Sequence, residues 1–310
     1  MSVSVAMATY NGQKYLYDQL KSLAIQTVLP DELVICDDAS SDDTLKIIDA
    51  FCKESPFVVR VIANKVNRGC IESFEIAIEH CTGDILLLCD QDDVWNDNKI
   101  EVVSELFDTN DSVCMLINDQ LIKDEQLING SKTKLGNIYA MGLTSDWHTT
   151  GCCTSFRREL CGLILPFPKD IKSHDGWIAR IGISLGVRKV IGRVLQVYRR
   201  HETNLSNSIS SNIDGASRFD LIRKYGLKDI RSELLYESKV LDELCSRIND
   251  EPNKPGVAIF ARVCFGHPSP SKQQKLHATV YACGASTVLR TLRNHLFAAL
   301  HNSLSDSTPT

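Results

Sequence analysis

Short apolar runs recur along the first 120 residues and cut the chain into alternating pieces. Five read as strands: 2–8 (SVSVAMA), 32–37 (ELVICD), 57–62 (FVVRVI), 84–90 (DILLLCD) and 112–117 (SVCMLI). Between them, amphipathic stretches predict helices near 14–27, 42–54, 70–81 and 97–109. The helix over 42–54 carries its own start signals, Ser40 and Ser41 followed by Asp42 and Asp43, which suit the unpaired amides of a first turn. Short strands separated by such helices build βαβ units and a parallel sheet. The run at 84–90 is apolar throughout, as a strand covered on both faces requires. The expected fold class is α/β: a Rossmann-like, mostly parallel sheet flanked by helices.

After about residue 125 the periodicity weakens. A helix near 156–163, a helix near 175–185 and a strand near 189–198 are expected there. The piece 202–217 (ETNLSNSISSNIDGAS) is Ser/Asn-rich and reads as a loop. The remainder to about 304 reads as helical, which divides the chain into an α/β domain over 1–215 and a helical C-terminal region over 216–310. From Pro252 to Ser305 there is no Asp or Glu, while Lys254, Arg262, Lys272, Lys275, Arg290 and Arg293 remain. Within that tail, 286–301 places Val288, Leu289, Leu292, Leu296 and Leu300 at helical spacing. Such a basic amphipathic helix either lies on an anionic membrane surface as a peripheral contact or packs on the domain with its basic face solvated.

Composition narrows the classes. The net charge of −5 argues against a nucleic-acid partner. The N-terminus has no basic segment followed by an apolar one, so no secretory signal is expected. No stretch of 18 or more apolar residues appears, so no spanning helix is expected. Twelve cysteines contain no CxxC pair, and Cys36, Cys81, Cys89 and Cys114 sit within apolar segments as small hydrophobes. Reduced thiols in a cytoplasmic chain follow, without a zinc site.

The chemistry gathers where strands end. The first runs into Thr9-Tyr10-Asn11-Gly12, the second into Asp37-Asp38, and the fourth into Asp90-Gln91-Asp92-Asp93. In a parallel sheet these three ends share one edge, where ligands bind. A ring there can stack on a base, and a carboxylate can accept from an imide N–H or a ribose hydroxyl. Crowded carboxylates repel one another unless a hard cation such as Mg²⁺ sits among them. That ion takes one or two protein carboxylates and completes its shell with phosphate and water. A metal–diphosphate ligand therefore fits better than a closed metal cage. The competing reading is a solvated turn, which suits Asp97 better than residues 90–93.

These residues resemble a known family. MATYNG, VICDDASSDDT, NRG at 67–69, TGDILLLCDQDD and HDGW resemble, in order and spacing over residues 1–205, the inverting family 2 glycosyltransferases with the A-type glycosyltransferase (GT-A) fold. The CDQDDVW and HDGW forms are most similar to bacterial rhamnosyltransferases of surface-polysaccharide assembly. The resemblance implies that Tyr10 lies against the nucleotide base with the backbone of Ala8 and Thr9 close by. Asp38 accepts from the pyrimidine N3–H with Asp37 beside it, Arg68 approaches the nucleotide, and Asp90 contacts the ribose next to Gln91. Asp92 holds a Mg²⁺ or Mn²⁺ ion bridging the diphosphate, Asp93 flanks it, and His201 matches a position that helps bind metal or diphosphate. Asp175 would be the general base. Arg199, or Arg200, would clamp phosphate.

The chemistry asks for the same types. Inverting transfer is one in-line displacement at the anomeric carbon, and a carboxylate must take the proton of the attacking hydroxyl. A cation must absorb charge on the leaving diphosphate. A base on the face opposite the leaving group is the geometry that inverting glycosidases also use. Taken alone, Asp175 also suits the start of a helix. Trp177 and Trp95 suit core packing as well as an acceptor wall.

The expected activity is metal-dependent inverting transfer from a nucleotide-sugar, dTDP-rhamnose or a UDP-hexose. The expected acceptor is a saccharide, lipid-linked at the inner membrane face, in bacterial surface-polysaccharide synthesis. Two rivals remain. One is a haloacid-dehalogenase-type phosphatase with Asp90 as nucleophile, although its motif ordinarily follows a first strand. The other is a nucleotide-sugar binding protein without catalysis.

Overall fold

The structure is a computed structural model that describes residues 1–206 and 208–225, together with Tyr236, Lys239, Val240, Asp242, Glu243, Leu244, Ser246 and Arg247. The acid-free tail and its stretch 286–301 lie outside the described residues. Strands β1 (Val3–Thr9), β2 (Glu32–Asp37), β3 (Val58–Ala63) and β4 (Ile85–Cys89) form where the apolar runs place them. Helices α1 (Leu16–Ala24), α2 (Thr44–Glu54) and α3 (Cys70–His80) connect them. A two-residue strand, β5 (Val94–Trp95), follows the acidic turn, and α4 (Lys99–Asp108) follows β5. The second half supplies β6 (Met115–Lys123), α5 (Lys134–Ala140), β7 (Thr154–Arg157), α6 (Cys161–Ile164), α7 (His174–Ser184), β8 (Arg188–Arg199) and α8 (Arg218–Tyr225).

The eight strands make one sheet in the order β3-β2-β1-β4-β7-β6-β8-β5. Strands β1 to β4 run parallel, β6 and β8 run the same way, and only β7 and β5 oppose them. Chain order reverses at β1, with β2 and β3 on one side and β4 on the other. The crevice outside the carboxyl ends of β1, β2 and β4 is therefore the place where such a sheet binds ligands.

Alternation along the strands sorts the core into two layers. Val5, Met7, Leu33, Ile35 and Leu87 face Leu16 and Leu20 of α1 and Ile100, Val103 and Phe107 of α4. Ala6, Val34, Leu86 and Leu88 face Phe74 and Ile78 of α3 and Trp177 and Ile181 of α7, and Val240 and Leu244 join this second layer. All these residues are buried, each large aliphatic contributing about 1.5–3 kcal/mol.

Two expected elements change. The helix near 156–163 opens instead as strand β7, and only Cys161–Ile164 is α-helical. Phe156 is registered between Leu86 of β4 and Met115 of β6, so the gap between two strands overrides local helix preference. Strand β6 begins later than expected and runs on through Asn118, Asp119 and Gln120, all buried. Burial of Asp119 is tolerable because it accepts from the amides of Gln120 and Leu135 at 2.8 and 2.9 Å.

Candidate active site

The two acids that end β2 have different surroundings. Asp37, fully buried, accepts from Thr9 Oγ1 at 2.9 Å and from the amide and hydroxyl of Ser40 at 3.0 and 2.6 Å. These bonds close the turn after β2, where Ala39 sits at φ +61°. Asp38 accepts from Asn64 Nδ2 at 2.9 Å, from the Arg68 amide at 2.8 Å and from the Gly69 amide at 2.7 Å. Burial pushes its carboxyl up, but those donors outweigh burial and hold it below the ordinary carboxylate range. The segment 64–69 is thereby docked onto β2. The Arg68 side chain pairs with Glu72.

Tyr10 stands at the mouth of the crevice, 47% exposed. Its backbone is gripped from across the crevice: Gln91 Oε1 accepts from the Tyr10 amide at 2.9 Å, and Gln91 Nε2 donates to the Tyr10 carbonyl at 3.1 Å. A side chain at Gly12 would collide with this grip, since a Cβ there would lie 2.3 Å from Gln91 Oε1. Gln91 is thus a brace between the turns after β1 and β4. Ala8 and Thr9 end β1 beside it.

The acidic turn follows β4. Asp92 Oδ2 accepts from His201 Nε2 at 2.8 Å, and Asn204 Nδ2 lies 3.4 Å from the same oxygen. Asp93 is fully buried and accepts from Gln196 Nε2 at 3.0 Å and the Arg199 amide at 3.3 Å. Burial, and then the neighbouring Asp92 charge, push the Asp90 carboxyl up to about 7. The charge of Asp175 adds to this. Asp93 is raised well above the usual range by burial and by the charges of Asp92 and Asp90. Two carboxyls raised by burial and by neighbouring negative charge, Asp90 and Asp93, crowded beside Asp92, are what a hard cation would stabilise, so the residues fit a divalent ion.

One atom of each of Asp90, Asp93 and Cys152 lies within 4.8 Å of the others. That trio is a poor Mg²⁺ or Mn²⁺ site, because Asp93 is already held by two donors. The Cys152 thiol is also kept protonated, by its hydrogen bond with Cys153 and by burial. A protonated thiol is a weak ligand for a hard ion. Asp92, whose Oδ1 has no hydrogen-bond partner among the described residues, and His201 beside it are further candidate ligands next to Asp90.

Behind the acids lies a buried polar network. Lys99 opens α4 and is 2% exposed. Its Nζ donates to the Cys152 carbonyl at 2.8 Å and to Gln196 Oε1, and lies 3.8 Å from the Trp95 ring centre. Burial lowers its pKa. An ammonium only donates, so Gln196 must turn its oxygen to Lys99. The Gln196 amide then donates to Asp93 and, at 3.2 Å, to Gln120 Oε1. Arg199 ties the same turn from outside. Its guanidinium donates to the carbonyls of Asp92 and Glu125 at 3.0 and 2.8 Å and to Asp18 at 2.8 Å, over the Tyr15 ring.

Asp175 enters from α7. Ser173 caps that helix by accepting from the Gly176 amide at 3.2 Å, and Asp175 Oδ1 accepts from the same amide at 2.7 Å. The turn carrying Cys152 packs against this start: a Cβ at Gly151 would lie 2.8 Å from His174 Nε2 and 3.4 Å from Asp175 Cβ. His174 stacks on Phe74 at 4.2 Å, a packing role. Trp177 is buried with its indole N–H on the Ile164 carbonyl.

Asp90, Asp92, Asp93, Asp175 and His201 thus converge, with Tyr10, Asp38 and Gln91 along the same edge. Asp37, Gln91 and Arg199 spend their polar atoms on the protein itself. Lys99, Gln120, Gln196 and Asn204 are additions that the motif reading does not contain. Among the described residues no helix is long and apolar enough to cross a membrane.

Residues 4–164 match the family model described as Glycosyl transferase family 2. An uncharacterized glycosyltransferase of Nostoc is 28% identical over 230 residues, 68% of each chain. The Escherichia coli enzyme named UDP-Glc:alpha-D-GlcNAc-diphosphoundecaprenol beta-1,3-glucosyltransferase is 27% identical over 127 residues, 41% of this chain and 49% of that one. Among solved structures, Staphylococcus aureus TarS residues 1–349 in complex with UDP-GlcNAc superposes with a TM-score of 0.57 at 16% identity. That match covers 98% of this chain and 92% of TarS. A Pyrobaculum calidifontis mannosyltransferase in complex with GDP-Man and Mn²⁺ gives 0.50 at 18% identity, over 99% and 88%. These likenesses establish the GT-A fold.

Proposed function

From the premise that this chain belongs to glycosyl transferase family 2, we propose that it transfers a sugar, with inversion, from a nucleoside diphosphate-sugar to a hydroxyl of a saccharide acceptor. The observation that carries this reading is the meeting of Asp92 and His201 with Asp90 and Asp175 at the carboxyl edge of β1, β2 and β4. The donor is dTDP-rhamnose or a UDP-hexose, and the acceptor a lipid-linked saccharide reached from the cytoplasmic membrane face. Support for that acceptor class is the E. coli relative, whose own name specifies a diphosphoundecaprenol-linked sugar.

Asp92 and His201 would hold a Mg²⁺ or Mn²⁺ ion, which when bound neutralises charge on the leaving diphosphate. The chain's own groups do the rest. Tyr10 offers a face for the base, and the docked 64–69 segment with Asp38 forms the floor beside it. Asp90 suits a hydroxyl of the ribose or sugar, which its carboxylate can accept from. Asp175 takes the proton from the attacking hydroxyl, for which it needs only hydrogen-bond reach. Its place at the start of α7, against Gly151 and near enough to Asp90 to raise that carboxyl, supports this role.

The test is a thermal-shift screen of UDP, dTDP and GDP with their sugars, with and without Mn²⁺, followed by transfer assays on those that stabilise the fold. A cation-dependent shift from one nucleotide, with turnover lost in Asp92→Asn, is expected. Stabilisation by none, or an Asp92→Asn variant as active as the parent, refutes the proposal. Nucleotide binding without turnover for any acceptor assigns a binding protein instead. The phosphatase reading loses its ground with the family match and with Asp90 following the fourth strand.

A further inference from the structure

The two ring nitrogens of His201 meet different neighbours, in a side chain that is only 5% exposed. Nε2 lies 2.8 Å from Asp92 Oδ2 and 2.9 Å from Asn204 Nδ2. Nδ1 lies 2.9 Å from the Thr203 hydroxyl. A tight turn over 201–204 makes that second meeting possible. Asn204 Oδ1 accepts from the His201 amide at 2.8 Å, and the Asn204 amide donates to the His201 carbonyl at 3.4 Å. The face of the imidazole is fixed separately, by the start of α1. The Tyr15 ring packs on it at 4.6 Å between centres, and the Tyr15 hydroxyl donates to Glu125 Oε1 at 2.5 Å.

In a neutral imidazole one nitrogen carries the hydrogen and the other offers a lone pair. Beside the Asp92 carboxylate of metal-free protein Nε2 is the donor, because two bare acceptors 2.8 Å apart would repel. A nitrogen that donates a hydrogen bond cannot ligate an ion. To serve a cation, Nε2 must show its lone pair, and the ring's hydrogen must reside on Nδ1. The partner of Nδ1 has to donate in the first state and accept in the second. A carbonyl or an ammonium can do only one of these. A hydroxyl, with one hydrogen and two lone pairs, does both, and residue 203 places one there.

We propose that Thr203 is a positioning residue for the transfer reaction: its hydroxyl serves Nδ1 of His201 in either tautomer and so frees the Nε2 lone pair for a divalent cation shared with Asp92. The hydrogen bond made by one ring nitrogen decides what the other can do. The proton count balances, since Nε2 gives its hydrogen to water and Nδ1 takes one from water. The assignment rests on the transfer reading above, in which Asp92 and His201 hold the cation.

The test titrates Mn²⁺ by calorimetry, alone and with saturating UDP or dTDP. The proteins are the parent, Thr203→Val, Thr203→Ser, His201→Ala and the His201→Ala/Thr203→Val double variant. Valine keeps the shape and removes the hydroxyl. Thr203 is exposed, so Thr203→Val and Thr203→Ser should melt with the parent in the absence of metal. Thr203→Val should bind Mn²⁺ about 10-fold more weakly, as loss of a ligating histidine's partner does, and Thr203→Ser should bind it as the parent does. Without His201 the valine should cost nothing further, because Thr203 acts through that ring. Nitrogen-15 spectra, taken at the Mg²⁺ and nucleotide concentrations that just saturate the parent, should show the His201 hydrogen on Nδ1. Thr203→Val should retain more of it on Nε2. Equal Mn²⁺ affinity in parent and Thr203→Val, a serine as weak as the valine, or a valine effect that persists without His201 overturns the proposal. A parent that binds Mn²⁺ under neither condition overturns it too. A parent that binds Mn²⁺ but no nucleotide refutes the transferase reading and leaves the Thr203 comparison standing.

Discussion

Replacing Lys99 by methionine removes one charge and keeps most of the side chain's bulk. In the parent, Nζ supplies a hydrogen to the Cys152 carbonyl and another to Gln196 Oε1, and sits over the Trp95 ring. Each buried acceptor left without a donor costs about 1–3 kcal/mol, and a desolvated cation–π contact contributes about 2 kcal/mol. Against this, the parent bears a desolvation penalty of several kcal/mol for burying an ammonium, which the variant escapes. The net expectation is a loss of roughly 2–4 kcal/mol, taking the two orphaned carbonyls as the larger effect. At about 2–4 °C per kcal/mol for a domain of this size, the melting temperature should fall by roughly 4–16 °C. A second effect is specific to the network. Without Lys99 the Gln196 amide can turn over, and its oxygen then opposes Asp93. Nucleotide–Mn²⁺ affinity should therefore weaken by about tenfold, one 1.4 kcal/mol step. Differential scanning fluorimetry and calorimetry read the two effects separately. A variant that melts within about 2 °C of the parent and keeps its nucleotide affinity would refute the view that Lys99 orients the acidic turn.

Asp175→Asn should lower kcat by about 10²–10⁴-fold with nucleotide affinity unchanged, the signature of a lost general base; an equal loss in affinity would point to a folding role at the start of α7. Gly12→Ala should break the Gln91 grip on Tyr10, because its Cβ would fall 2.3 Å from Gln91 Oε1, and nucleotide titration should show weaker binding. In metal-free protein, Asp90 binds its proton up to about pH 7, whereas an unfolded aspartate releases it near pH 4. The folded state therefore holds the extra proton, and stability present below pH 4 is lost as pH rises through 7. Denaturant melts at pH 5 and pH 8 should show this decline, and saturating Mg²⁺ should reduce it.

The sheet was legible because each strand of the first half is an apolar run bounded by polar turns, a pattern that few other structures satisfy. The acidic edge was legible for the reverse reason: Asp92 and Asp93 interrupt such a run where solvated residues would not be expected. Strand β7 was hidden, since Thr154–Arg157 is a strand only because β4 and β6 leave a place for it. Lys99, Gln120 and Gln196 read as surface residues by type, and only depth shows otherwise. Lys99 carried one faint signal, a cation in the first turn of a helix, where the dipole disfavours it. Asn204 lay in a Ser/Asn-rich stretch whose composition predicts a loop and says nothing of the Asp92 carboxylate it approaches.

Arg199 fastens the turn after β4 to the turn after β8 through its backbone amide on Asp93 and its guanidinium on the Asp92 carbonyl. Residues 90–93 and 199–204 are consequently a single mechanical part, although more than a hundred positions separate them in the chain. A chimaera that imports one turn from a relative without the other would pull the Asp92–His201 pair apart. Any exchange of donor preference between such proteins has to carry both turns together.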